Sequence, residues 1–378
     1  MLYSIPEIDL DGELEESLNN VEKVIKDLNK RRDKGLPKSL EEQINKHLQI
    51  SHVYHSNAIE GNQLSLRETE IVLDTIGENT LSNKDETEAV SLNKANDYLY
   101  DLISGKARLG RTSFKEFHGI IMEGSDVERG EYRKGEVTIK NSNHTPPPAA
   151  LVESNINELF QWINRSSHEY SPLVMATILH HWITWIHPFN DGNGRTARMF
   201  FNFFLLQRGY PMVIVKLEDR DTYYDALIEA DEGNILKLLE LFIAKSRQTV
   251  NIYEEFINDL ERELEWKAKY QRIAKKKEEE YQKARELYQF DYEIWKRQVE
   301  VFRELLKESI KFVDELLPNI EFEIQEYDML TFNQFLDLLE GRRLSNNWYL
   351  VFYISDSTTH NSLKVIFYFD KFQTTKEI

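Results

Sequence analysis

The chain has 378 residues, and its 47 lysine and arginine residues against 65 aspartate and glutamate residues give a net charge of −18. This acidic balance argues against a general nucleic-acid or anionic-membrane binder. The absence of cysteine excludes disulfides and thiol catalysis, and no apolar run approaches the roughly 18 residues that a transmembrane helix needs. The length predicts two or three domains. The acidic first residues lack the basic region of a signal peptide, and the absence of cysteine fits a cytoplasmic protein, which is what we expect.

The first part of the chain, residues 1–63, predicts two helices. One covers about 12–33 and the other about 39–60. The second has apolar residues spaced among polar ones, as an amphipathic helix requires, and Gly61 follows it as a stop signal. We therefore expect the chain to begin with a helical region.

Residues 64–248 predict a mostly helical core with a single β element. That element is Val137–Ile139, which lies between turn-forming stretches and is followed by the prolines Pro146–Pro148. Prolines cannot continue such a segment into a helix. The pattern therefore predicts a short strand or hairpin.

The sequence HPFNDGNGRTAR, residues 187–198, brings together the groups that phosphate chemistry needs. Gly192 and Gly194 flank Asn193, so the backbone can adopt positive φ and approach a ligand closely. From about Gly194 the spacing of apolar residues predicts a helix that ends at Gly209. A glycine-rich turn that opens a helix presents N–H groups and the positive end of the helix dipole to an anion.

Charged side chains complete this loop. Arg195 and Arg198 are three residues apart, so both guanidinium groups are expected on the same side of the helix, where they suit a di- or triphosphate. Asp191 precedes the turn, where a carboxylate can hold Mg²⁺ together with phosphate oxygens. His187 is the side chain of this loop that can take up a proton near neutral pH. Phe189 is expected to anchor the loop in the core.

The C-terminal part has a different character. From about 249 to 317 the chain is highly charged and has neither glycine nor proline, which predicts long helices, but its heptads are too irregular to predict a coiled coil. After Pro318, IEFEIQEY, NWYLVFYIS and SLKVIFYFD are typical of strands, and LTFNQFLDLLEG of a short helix. The predicted regions are N-terminal helices (1–63), a core (64–248), a long-helix region (249–318) and a small α+β unit (319–378).

The run from His187 to Arg198 resembles the signature of the Fic family, His-x-Phe-x-(Asp/Glu)-Gly-Asn-Gly-Arg-x-x-Arg, at every specified position. The resemblance extends over residues 1–248. Together with the C-terminal pattern, it implies a mainly α protein: a Fic helical bundle with a β-hairpin flap at 130–148, then long helices and the small α+β unit. Most members of the family transfer AMP from ATP to a protein hydroxyl, so the resemblance implies a protein adenylyltransferase that uses ATP and Mg²⁺.

The resemblance also implies roles for individual residues. His187 is the general base, and Asp191 holds the metal. The flap pairs through its backbone, at residues 137–139, with the segment of a protein substrate that carries the hydroxyl. Tyr223 and Tyr224 lie where the family encloses adenine, and at most one should face the base, since neighbours on a helix point to different sides. Nucleotide contacts are expected at Ile139, Asn190, Asp191, Gly192, Asn193, Gly194, Arg195, Thr196, Arg198, Tyr223, Tyr224 and Asp231. At the position of Asp231, relatives often have asparagine.

A second motif concerns regulation. Residues 56–62, SNAIEGN, resemble the inhibitory pattern (Ser/Thr)-x-x-x-Glu-(Gly/Asn) of the Fic class whose inhibitory helix precedes the catalytic core. In that class Ser56 helps to hold the helix and Glu60 contacts Arg198. A carboxylate on this guanidinium would occupy the charge that the γ-phosphate of ATP needs. The resemblance therefore implies an enzyme that is inhibited by its own Glu60.

Other activities remain open at the same site. One is removal of AMP, with Glu60 positioning water, and another is transfer of a different nucleotide. A third is a nucleotide-sensing regulatory module without transferase activity, although an intact His187 argues against it, because a sensor has no use for a base. Self-modification and a homodimer are both open, and no residue specifies the target protein.

Overall fold

A computed structural model describes residues 2–10, 12–75, 83–106, 110–139, 142–166, 169–342 and 348–368. The described helices are α1 (Gly12–Asp33), α2 (Lys38–Ile59), α3 (Leu66–Asp74), α4 (Lys84–Ser104), α5 (Arg111–Ile121), α6 (Val152–Arg165), α7 (Pro172–Ile186), α8 (Asn193–Leu206), α9 (Arg220–Asp231), α10 (Leu236–Leu316) and α11 (Phe332–Leu339). The strands are β1 (Ile320–Glu326), β2 (Trp348–Asp356) and β3 (Ser362–Tyr368). Among the described residues, every helix is too short or too polar to cross a bilayer.

The chain divides into two compact units, Met1–Arg262 and Glu263–Ile378, and the boundary falls within α10. In the first unit the apolar helices α7 and α8 pack against each other in the core. Helix α7 begins with Pro172 and is capped by Ser171, whose side chain accepts a hydrogen bond from the Val174 N–H. Helix α8 buries its phenylalanines, which accounts for its position in the core: Phe200, Phe201, Phe203 and Phe204.

The loop between α7 and α8 has an unusual backbone. His187 ends α7 in the left-handed region, with φ 48° and ψ 62°, and Gly192 precedes α8 with φ 73°. Residues other than glycine rarely adopt positive φ, and such strain is frequent at functional sites. These two positions turn the chain so that the loop residues between them lie at the N-terminus of α8.

The helices predicted around 12–33 and 39–60 are confirmed as α1 and α2, with ends that differ by at most a residue or so. The strand or hairpin predicted at Val137–Ile139 is wrong for the described residues, where this segment is irregular. A strand needs a hydrogen-bonding partner, and the described part of the flap offers none. Lys140 and Asn141 lie outside the described residues.

The second unit confirms the predicted small α+β arrangement. Its strands form an antiparallel sheet in the order β1-β2-β3, in which Ile324 pairs with Phe352 and Val351 with Ile366. The core of this unit consists of Leu330, Leu338, Leu350 and Phe352, with partly buried residues of α10 packed against it. The long-helix prediction is also confirmed, as one helix that begins earlier than expected, at Leu236.

Candidate active site

A cavity of about 360 Å³ opens beside the α7–α8 loop. This volume lies within the range of small-molecule sites. Its walls come from the end of α2, the flap, the α7–α8 loop and one face of α9. The lining includes Glu60, Ile139, His187, Asn190, Asp191, Gly192, Asn193, Gly194, Arg198, Tyr223, Tyr224 and Asp231. Most of the predicted site residues, although distant in sequence, therefore meet in one cavity.

His187 lies in this cavity in a form suited to accept a proton. Burial lowers the pKa of His187 to about 4, a hydrogen bond with the Thr184 backbone opposes this shift, and the charge of Arg133 adds to it. The imidazole is therefore neutral near pH 7. A neutral, oriented imidazole is the form that a general base needs.

The loop that follows holds its own shape. The Asn193 side chain accepts a hydrogen bond from the Phe189 N–H and donates one to the Phe189 carbonyl, both at 2.9 Å. Phe189 is fully buried, which confirms its predicted role as the loop anchor. The Asn193 amide is therefore committed to holding the loop. The first turn of α8 presents N–H groups that have no partner within a helix, as an anion site requires.

Arg198 joins α8 to the end of α2. Its Nε donates to Ser56 Oγ at 2.9 Å, and its Nη2 donates both to the Ser56 carbonyl at 2.9 Å and to Glu60 Oε1 at 2.7 Å. Burial opposes the charge of this group, but the Glu60 carboxylate outweighs it and raises the pKa of Arg198. A side chain at Gly194 would collide with Glu60 Oε1, so glycine at this position lets the carboxylate approach α8 closely. Glu60 therefore lies at the N-terminus of α8, where an anionic ligand would bind.

Two predicted contacts are not found in this cavity. Arg195 does not share the direction of Arg198: its Nη1 lies 3.4 Å from Glu88 Oε1, and its Nη2 lies against Met122 Sδ. Glu88 holds this long side chain away from the cavity wall, so the prediction that both guanidinium groups lie on the same side is wrong, and a phosphate contact of Arg195 stays a prediction. Thr196 is fully buried and is not part of the cavity wall, so its predicted nucleotide contact is also not supported.

Helix α9 forms the remaining wall. Tyr223 is buried, and its hydroxyl lies 3.1 Å from His180 Nε2, while Tyr224 is half-buried with its hydroxyl near the Ile59 carbonyl. Both tyrosines line the cavity, and that at most one of them faces the base stays a prediction. Their ring centroids are 5.5 Å apart, so these two adjacent residues of α9 lie close to each other in the cavity wall. Asp231 lies at the C-terminal end of the same face.

Asp191 is the cavity residue that fits Mg²⁺. Its side chain is exposed, and Oδ1 accepts a hydrogen bond from the Gly192 N–H at 2.6 Å. In the described part of the chain, no three His, Asp or Glu side chains cluster as a metal site. A single carboxylate nevertheless suits Mg²⁺, which commonly binds one or two carboxylates together with phosphate oxygens and water. The donor set is therefore compatible with a metal that arrives with a nucleotide.

Sequence patterns missed two side chains that support the loop. His118 stacks on Phe189 with ring centroids 3.6 Å apart, and its Nδ1 accepts from the Gly130 N–H, so its Nε2 must donate to the Asp191 carbonyl at 3.1 Å. Arg133 is buried and donates from Nε to the His187 carbonyl at 2.8 Å. Neither residue belongs to a local motif, so only the tertiary contacts identify them.

A model of the Fic/DOC family matches residues 108–205. Residues 108–205 form a Fic domain. This confirms the predicted resemblance. The part of the protein that the family model matches contains α5, α6, α7, all but the last residue of α8, and the entire signature.

The relatives extend the similarity beyond this domain. The chain is 32% identical to the protein adenylyltransferase Fic of Nematostella vectensis over 208 residues, which cover 54% of this chain and 48% of the relative. It is also 32% identical to that of Aedes aegypti, over 54% of this chain and 41% of the relative. The chain thus spans about half the length or less of these curated relatives.

Solved structures agree on the fold. A Fic-1 structure from C. elegans superposes with a TM-score of 0.58 at 25% identity and covers 66% of this chain and 73% of that chain. A Fic family protein from Desulfovibrio desulfuricans gives a TM-score of 0.55 at 25% identity, over 68% of this chain and 78% of that chain. The predicted Fic fold is therefore confirmed.

Proposed function

We propose that this protein transfers AMP from ATP to a hydroxyl group of a protein, and that Glu60 restrains the transfer. The observation that carries the proposal is that a neutral His187 and Arg198 at the start of α8 line one cavity. A proton acceptor and a phosphate-binding helix terminus are the two parts that this reaction needs. The name protein adenylyltransferase, given to relatives at 32% identity, supports the same reaction.

In the proposed reaction His187 takes the proton from a serine, threonine or tyrosine hydroxyl. The hydroxyl oxygen forms a bond to the α-phosphorus, the bond from that phosphorus to the bridging oxygen breaks, and pyrophosphate leaves. Arg198 and the N–H groups of Asn193 and Gly194 bind the departing charge. Asp191 would hold Mg²⁺, which neutralises phosphate charge when it is bound.

The proposed restraint follows from the charge on Arg198. Glu60 Oε1 already accepts a hydrogen bond from Arg198 Nη2 at 2.7 Å. A γ-phosphate would need the same donor, and two anions cannot both occupy it. ATP would therefore bind with its phosphates displaced from the geometry of in-line attack, and release of Glu60 would be required for transfer.

The flap offers a site for the protein substrate. Thr138, Ile139 and Ser142 line the cavity. In the described residues the segment 137–139 belongs to no sheet, although the Ile139 carbonyl accepts a hydrogen bond from the Ser142 N–H at 3.3 Å, so an incoming strand would pair mainly with Val137 and Thr138. Strand addition would give register through the main chain and allow loose sequence specificity.

Label transfer from α-labelled ATP tests the proposal. Glu60→Gly protein should label itself or a protein in a lysate strongly, and wild-type protein only weakly. Adding His187→Ala to this variant should lower the rate by about 10²–10⁴, the usual effect of a lost general base, while ATP still binds. Equal labelling with and without His187 would overturn the proposed mechanism. Binding of ATP without any labelling would favour the nucleotide-sensing alternative.

A further inference from the structure

Among residues 2–10, which precede α1, Ile8 and Leu10 pack partly buried against the core of the first unit, and Tyr3 is the residue that becomes buried. Leu2 is 56% exposed and Ile5 is 37% exposed, but Tyr3, between them, is 9% exposed. Its ring stacks on Trp182 of α7 with centroids 4.5 Å apart, and its backbone N–H donates to Asn155 Oδ1 at 3.0 Å. An extended segment that buries a single tyrosine must place its hydroxyl against a specific partner.

That partner connects Tyr3 to the cavity. The Tyr3 hydroxyl lies 2.7 Å from His181 Nδ1, and His181 Nε2 lies 3.1 Å from Asp231 Oδ1. A carboxylate can only accept, so Nε2 carries the proton and Nδ1 is left to accept from the Tyr3 hydroxyl. Burial raises the pKa of Tyr3, which keeps this hydroxyl protonated as a donor. The three residues therefore form a directed chain of hydrogen bonds that ends on the carboxylate.

Asp231 is the one member of this chain in the cavity wall. Within the described residues its second oxygen, Oδ2, has no hydrogen-bond partner, and the side chain is 17% exposed. Tyr223 contacts Arg198 in space. Asp231 lies eight residues after Tyr223 in α9, which corresponds to about 12 Å along the helix. Tyr224, Leu227 and Ile228 line the cavity between these ends. An apolar wall that ends in a hydrogen-bond acceptor suits the base of a nucleotide whose phosphates lie at Arg198.

We propose that Tyr3 and His181 are positioning residues that hold the Asp231 carboxylate as an acceptor for the exocyclic amino group of adenine, so that base selectivity depends on the segment before α1. The inference rests on the proposed ATP site and specifies how that site reads the base. His181 occupies Oδ1, which leaves Oδ2 for one donor. A purine without the 6-amino group would leave this carboxylate oxygen without a partner in a partly closed site, and the loss of affinity gives the selectivity.

Equilibrium binding in the Glu60→Gly background tests this inference. The ligands are ATP, purine riboside triphosphate, which lacks only the amino group, GTP and 2′-deoxy-ATP. The starting protein should bind ATP about tenfold or more tightly than purine riboside triphosphate, since one charge-assisted hydrogen bond is lost. Asp231→Ala should remove this preference. Tyr3→Phe, which keeps the stacked ring, should reduce it several-fold.

The controls separate positioning from a general structural role. Tyr210→Phe removes another hydroxyl that bonds to an acid, Glu22, outside the cavity wall, and should leave the preference unchanged. Inorganic tripolyphosphate, which has no base, should bind all variants equally. Equal binding of ATP and purine riboside triphosphate by the starting protein, tighter binding of GTP, or an unchanged preference in Tyr3→Phe would overturn the inference. The inference would also be overturned if Asp231→Ala lost only its discrimination against 2′-deoxy-ATP, because the carboxylate would then bind the ribose hydroxyl and not the base. These outcomes concern binding, so they are distinct from a failure of AMP transfer.

Discussion

The replacement Glu60→Gly should lower the free energy of unfolding of the first unit by about 1–2 kcal/mol. Removal of one member of a fully buried ion pair costs roughly 3–5 kcal/mol. Two features reduce this cost here: the Glu60 side chain is 34% exposed, so water screens the pair, and Arg198 keeps two hydrogen bonds to Ser56. Part of what remains, at most about 1 kcal/mol, is the chain entropy that glycine adds to the unfolded state.

ATP should more than offset this loss. A ligand at 100 times its Kd stabilises the folded state by about 2.7 kcal/mol. Without Glu60, the γ-phosphate of ATP can pair with Arg198, whereas ADP has no group at this position. The variant should therefore gain more stability from ATP than from ADP, and more from ATP than the wild type does. Arg198→Ala should not reproduce this behaviour, because it removes the phosphate ligand as well as the pair.

Urea unfolding of wild type, Glu60→Gly and the matched Glu60→Gln variant, each without ligand, with ADP and with ATP, measures these differences. Glu60→Gln keeps the length and a hydrogen-bond acceptor but removes the charge, so its ATP response should be intermediate. Equal stabilisation by ATP and ADP in the glycine variant would show that the γ-phosphate does not take the place of Glu60 on Arg198. A loss of 3 kcal/mol or more without ligand would show that the pair is not screened as its exposure implies.

Three further predictions follow from the same geometry. Because burial lowers the pKa of His187 to about 4, transfer by Glu60→Gly protein should stay constant as the pH falls through 6.5 and decline only towards pH 4; a pH–rate profile with a midpoint at 6.5 would contradict the assignment. Asp191→Asn should lower transfer and weaken its Mg²⁺ dependence in a metal titration, and an unchanged titration would place the metal elsewhere. A chain that ends at Arg262 should unfold cooperatively and still transfer label. A chain that ends at Pro318 should aggregate in gel filtration, because it exposes the face of α10 that packs in the second unit. Equal behaviour of the two chains would contradict the division into two units at Arg262.

Local patterns predicted the helices well. The turn Gly192–Gly194 and the apolar run after it locate α8, and the absence of glycine and proline predicts the long helix. That helix begins at Leu236 and not near 249, because no helix breaker separates the two positions. A change in composition predicts a start near 249, but composition does not mark where a backbone begins to be helical.

Tertiary contacts determined what the sequence could not predict. Arg195 points to Glu88, a residue of α4 that no spacing rule connects with the signature. His118 and Arg133 hold the loop through backbone carbonyls, and any residue supplies such acceptors, so no motif marks them. Tyr3 reaches the cavity wall through His181, a link of 178 residues along the chain. In the flap the local sequence pattern favours a strand, but a strand also requires a hydrogen-bonding partner strand, which the local pattern does not reveal.

Incubation of the Glu60→Gly variant with ATP labelled either at the α- or at the γ-phosphate shows directly which group, if any, this protein transfers. Transfer of AMP places the α-label on protein and releases the γ-label in pyrophosphate. We expect α-label on protein, no γ-label on protein, and a loss of the α-label when His187 is replaced by alanine. Protein that carries the γ-label, or protein that binds ATP and carries neither label, would contradict this expectation.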